Sequence, residues 1–92
     1  MTEFNLEISN VLRDELLPML ERTIIGYRIR VVGWSIVISN HDGSDIVSIR
    51  VYPDQKEIIL IDKGSLATFK YEYGDPDNFE KIVQKVKDIV NP

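Results

Sequence analysis

The run NHDGSD at 40–45 gathers the side chains best suited to chemistry: the only histidine, His41, with Asp42, Ser44 and Asp45. A histidine beside a carboxylate can serve as a general base, with Ser39 or Ser44 as nucleophile. The same oxygens around a glycine suggest a calcium loop. Spacing argues against both. Neighbours at one hairpin tip do not converge on a shared reacting atom, and nothing at such a tip excludes water. The run lacks the twelve-residue spacing and closing glutamate of an EF-hand. One histidine without cysteine makes no zinc set. Asn and Asp-Gly here are turn chemistry. Asp54, Glu57, Asp75 and Asp77 are spread over turns and a helix start, so no facing carboxylate pair forms. There is no P-loop, GxGxxG or HExxH. The sequence predicts no catalytic residue, no metal and no cofactor.

The cations raise a different question. In RIRVVGWSIVIS (28–39) the alternation of a strand changes beat at Gly33. An unbroken strand would set Arg28 and Arg30 on the face of Trp34, Ile36 and Ile38. A β-bulge at Gly33 resets the parity. Tyr27, Ile29 and Val31 then join the apolar face, and the two arginines turn to the other side. The alternative is a true turn at Gly33, which adds a fifth strand.

Three further turns set registers for the strands that follow. Folding at Asp42–Gly43 pairs Ile38 with Val47 and Ile36 with Ile49. Folding at Asp54–Gln55 pairs Val51 with Ile58 and Ile49 with Leu60. A two-residue turn at Lys63–Gly64, with a positive φ at Gly64, pairs Leu60 with Ala67 and Ile58 with Phe69. One continuous apolar face results, and a one-residue slip in any turn would break it.

Helices flank the strands. Over 3–22, Phe4, Ile8, Val11, Leu12, Leu16 and Met19 gather on one side at 100° per residue. Leu6 and Leu17 point away, and Leu20 lies at the edge of the stripe. Pro18 lacks the N–H that would bond back to Asp14, which predicts a kink or an end near Leu17. Over 76–90, Phe79, Ile82, Val83, Val86, Ile89 and Val90 follow the helical rule. Asp75 is placed to cap this helix, with Pro76 at its first position; Asp77 with Glu80 is an alternative capping box. The fold expected is α-β-β-β-β-α: a four-stranded antiparallel meander with both helices on one face. It is read as a single α+β domain over 1–92, with 91–92 as a frayed tail.

The totals fit this picture. A chain of 92 residues buries roughly 60–65% of its unfolded surface, enough for one core. Its net charge of −4 argues against general nucleic-acid binding. No apolar run approaches a membrane span, and the opening MTEFNLEISN has neither a basic nor an apolar leader segment. A soluble cytoplasmic protein is expected, with no membrane partner.

The second face of the sheet is then the surface of interest. The registers place Val37, Ile59, Ile61 and Leu66 toward one end of it. Arg28, Arg30, Arg50, Lys70 and Tyr52 lie toward the other, with Glu57 opposite Lys70. The strand EIILID is apolar on both faces, as suits a covered strand. Arg and Tyr are common interface anchors. The expectation is a non-enzymatic interaction module acting through Arg28, Arg30, Arg50, Tyr52, Ile59, Ile61 and Lys70. Its partner would be another protein or, as a homodimer, itself. The alternative is a nucleic acid or other polyanion held by the basic half.

Overall fold

The computed structural model describes residues 12–75 and 77–91. Two helical segments flank a five-stranded antiparallel sheet whose order in space is the order in sequence, β1-β2-β3-β4-β5. The strands are β1 (Arg28–Val32), β2 (Ser35–Ser39), β3 (Asp45–Tyr52), β4 (Glu57–Asp62) and β5 (Thr68–Glu72). The meander expected from the sequence therefore has five strands, not four.

The fifth strand comes from Gly33. Val32 pairs with Ser35, so Gly33 and Trp34 are the two central residues of a tight hairpin. Gly33 takes a φ of +60° and Trp34 does not enter the left-handed region. Positive φ at the first central position only is the II′ pattern, whose twist matches the strands it joins. The bulge expected at Gly33 is thus a turn. The parity it was invoked to explain is unchanged: Ile29 pairs with Ile38 and Val31 with Ile36, and Arg28 and Arg30 lie on the opposite face. A register shift does occur one hairpin later. Ile38 pairs with Val47 but Ser39 with Asp45, which leaves Ile46 as the extra residue.

Two expected registers hold as written. Ile36 faces Ile49, and Ile49 faces Leu60. The third is displaced by two residues: Leu60 faces Phe69, not Ala67. The connection is a longer loop, closed by Asp62 N–H to the Ala67 carbonyl at 2.9 Å and by Leu66 N–H to the Asp62 carbonyl at 2.7 Å. Leu66, at φ +64°, holds the left-handed position expected of Gly64. The Asp62 carboxylate accepts from the Gly64 amide at 3.0 Å and organises the loop from one end. A two-residue displacement keeps every side chain on its face, so the apolar surface survives.

Helix α1 begins as a π-helical turn, Leu12–Leu16, and continues as α-helix over Leu17–Thr23. Pro18 sits in the first turn of that α-segment, where its missing N–H is tolerated. The wider turn before it contains Asp14, the residue whose carbonyl loses its partner at Pro18. The helix therefore changes hydrogen-bond spacing at this point and runs on to Thr23. Leu16, Leu20 and Ile24 are its buried residues, with Leu17 and Met19 packed alongside. Leu17 is thus turned toward the core and Leu20 is central to it. The expectations for Phe4, Leu6, Ile8 and Val11 lie outside the described residues.

Helix α2 spans Asp77–Val90. Asp75 caps it: its carboxylate accepts from the Asp77 amide at 3.0 Å, and its carbonyl from the Asn78 amide at 3.0 Å. Ile82, Val83, Val86 and Val90 join Ile36, Ile38, Val47, Ile49, Val51, Ile58 and Leu60 in one core with the residues of α1. All the buried apolar strand residues share one face, so both helices pack on that side. Two polar contacts tie α2 to the sheet. Asn78, 7% exposed, donates from Nδ2 to the Glu72 carbonyl at 2.7 Å. The Tyr27 hydroxyl donates to the Val90 carbonyl at 3.1 Å. Among the described residues no helix is long and apolar enough to cross a membrane.

Candidate functional site

Among the described residues both helices lie on one face of the sheet and no element covers the other, the open face. Register organises it into four rows that cross the strands. The first holds Arg28, Ser39 and Asp45. The second holds Arg30, Val37, Ser48, Ile61 and Thr68. The third holds Val32, Ser35, Arg50, Ile59 and Lys70. The fourth holds Tyr52, Glu57 and Glu72. All seven residues singled out in the sequence lie on this face.

Their arrangement differs from the expected division into an aliphatic end and a basic end. Arg28 and Arg30 are on the edge strand β1, Arg50 is central, and Lys70 is on the other edge strand, β5. Ile59 and Ile61 stand in the interior of the sheet on β4, with Lys70 facing Ile59 across β4–β5. Glu57 faces Glu72, not Lys70. The displaced β4–β5 register explains this correction, because two residues of slip move Lys70 up one row. Cations are thus dispersed among the aliphatic residues and form no half of their own.

Arg30 is committed within the chain. Its Nη2 lies 3.3 Å from Asp45 Oδ1 and donates to Ser39 Oγ at 3.4 Å. Ser39 in turn donates to Asp45 Oδ1 at 2.9 Å. Ser39 is 1% exposed, and this pairing satisfies a hydroxyl that burial would otherwise penalise. The cluster clamps β1 to β3 across β2. Arg30–Asp45 is the only ion pair among the described residues. Arg28, Arg50 and Lys70 form no ion pair among the described residues. Arg50 lies over the ring of Tyr52, 5.4 Å from its centroid, a cation–π contact.

Sequence reasoning missed Ser39 and Asp45 as members of this face. Ser39 follows three apolar residues and precedes a turn, and only the register shift at Ile46 brings Asp45 beside it.

The loop at 40–45 is structural. The Asp42 carboxylate accepts from the Ser44 amide at 2.9 Å, and that hydrogen bond holds the carboxyl below the usual aspartate range. Asn40 Oδ1 accepts from the His41 amide at 2.9 Å. The Asp42–Ser44 bond, two residues apart, makes an Asx turn. His41, Asp42 and Ser44 are exposed. No group of three or more candidate ligands able to hold a metal occurs among the described residues. A shallow depression at the foot of β4 and β5 is lined by Gln55, Lys56, Glu57, Lys70, Tyr71 and Glu72. It adjoins the fourth row and belongs to the same surface.

Comparison of the chain with protein-family models, with curated proteins and with solved structures gives no match.

Proposed function

We propose that this protein acts by contact and not by catalysis: the open sheet face is a protein-binding surface, and its partner is a second copy of the chain. A cytoplasmic setting is part of the same proposal. The observation that carries the reading is the position of Ile59 and Ile61, half-buried on the interior strand β4 of a face that solvent would favour as polar. Val37 on β2 and Val32, 54% exposed, on β1 add apolar surface across Ser48 and Arg50 of β3.

Area supports a stable contact. Five strands about 4.8 Å apart and five residues about 3.3 Å apart give a footprint of roughly 400 Å². Side-chain relief adds to this footprint, toward the roughly 800 Å² that each partner buries in a standard interface. Charge supports protein over polyanion. The cations are dispersed, Arg30 is neutralised by Asp45, and Glu57 and Glu72 stand on the same face.

Sedimentation equilibrium tests the reading. The parent is expected at the mass of two chains, and Ile59→Glu and Ile61→Lys are expected to weaken association at least tenfold, about 1.4 kcal/mol. A parent that stays at the mass of one chain at high concentration overturns it.

A further inference from the structure

Resting on that reading, we infer how the two copies meet: face to face about a two-fold axis that crosses the strands midway between the second and third rows. The inference comes from setting in-plane axes along and across the strands against the observed registers. Sheets that pack face to face lie about 10 Å apart with strands aligned to within about 30°. A two-fold dimer is self-complementary, so each row must suit whatever the axis places on it.

An axis parallel to the strands keeps every row on itself. Run through β3, it stacks Arg50 on the partner's Arg50 and Asp45 on the partner's Asp45. Run through β4, it stacks Glu57 on the partner's Glu57. Like charges brought together in a desolvated contact repel and disfavour that pairing. Run between β3 and β4, the axis sets Ile59 on the partner's Arg50 and leaves β1 without a facing strand; run between β2 and β3, it sets Ile61 on the partner's Arg30 and leaves β5 without one. An axis across the strands exchanges rows and keeps strands. Set between the second and third rows, it places Ile61 on the partner's Ile59 and Ile59 on the partner's Ile61. Arg50 then meets the partner's Ser48, and Lys70 the partner's Thr68, and each hydroxyl can accept from its cation. Arg30, already bound to Asp45, meets the partner's Val32. No like charges coincide at these positions, the aliphatic centres coincide, and the overlap of the two sheets is at its greatest.

The chain has no cysteine, so single thiols can be introduced cleanly. Under the inferred axis the two Thr68 Cα atoms lie one row apart across the interface, about 12 Å. Under an axis along β3 they lie four strand spacings apart, about 22 Å. Ser48 is near its counterpart in either case. Ser48→Cys, Thr68→Cys and, on α2, Gln84→Cys would each be treated with a phenylene bismaleimide at micromolar protein. The inference expects covalent dimer from Ser48→Cys and Thr68→Cys and none from Gln84→Cys. Cross-linking from Ser48→Cys alone overturns this axis and leaves face-to-face pairing intact. Absence of dimer from both sheet variants, or dimer from Gln84→Cys, overturns the pairing itself. Circular dichroism of each variant confirms that it is folded before the result is read.

Discussion

Arg30 and Asp45 meet at 3.3 Å across an intervening strand, with the hydroxyl of buried Ser39 bonded to both. The pair is about half exposed, and pairs of this kind contribute about 0–1 kcal/mol. Its buried member has more at stake, because removal leaves neighbours short of a partner. Ser39→Ala is expected to lower unfolding free energy by about 1 kcal/mol. Asp45→Asn, which keeps an acceptor, is expected to lower it by less. Denaturant unfolding of both variants checks the order, and equal or reversed losses contradict the clamp.

Gly33 makes the first hairpin by its backbone alone. A Cβ at Gly33 would meet nothing within 4 Å, so any cost of Gly33→Ala is conformational. About 1–2 kcal/mol is expected. Leu66 gives the opposite case. It holds φ +64° while 73% exposed, so it carries strain and little burial. Leu66→Gly is expected to leave stability unchanged or raise it by up to about 1 kcal/mol. Thermal unfolding of the two variants decides. A neutral Gly33→Ala or a costly Leu66→Gly contradicts the turn assignments.

These two turns also show what the sequence could convey. Alternation fixed which strand residues are buried, because a one-residue slip would expose Ile36, Ile49 or Leu60. It could not separate a bulge from a turn at Gly33, since both shift parity by the same amount. Nor could it detect a two-residue slip between β4 and β5, which changes neighbours without changing faces. That slip is why Glu57 meets Glu72 and not Lys70. The seven face residues were therefore legible and their mutual arrangement was not. Asn78 escaped notice for a related reason. It lies among the apolar positions of α2, and its bond to the Glu72 carbonyl depends on where the helix crosses β5.

Asp42 provides a pH test of the loop. The Ser44 amide stabilises its ionised form, so its folded pKa lies below the unfolded value. The carboxylate then contributes stability that is present above about pH 4 and is lost as pH falls through the folded value. A carbon-detected NMR titration is expected to place Asp42 below an ordinary aspartate. Asp42→Ala should be less stable than the parent at neutral pH, with the difference closing in acid. A midpoint at or above the ordinary value contradicts the assignment.

The central claim is that the sheet's uncovered side is where this protein binds its like. An amide-resolved NMR dilution series measures surface and association together. The account predicts that the signals of Ser48, Arg50, Ile59 and Ile61 move or broaden with rising concentration, while Gln84 and Asp88 on α2 hold still. Addition of salt should weaken the effect only modestly. Spectra that stay the same across the series, or changes confined to the helical side, would contradict it.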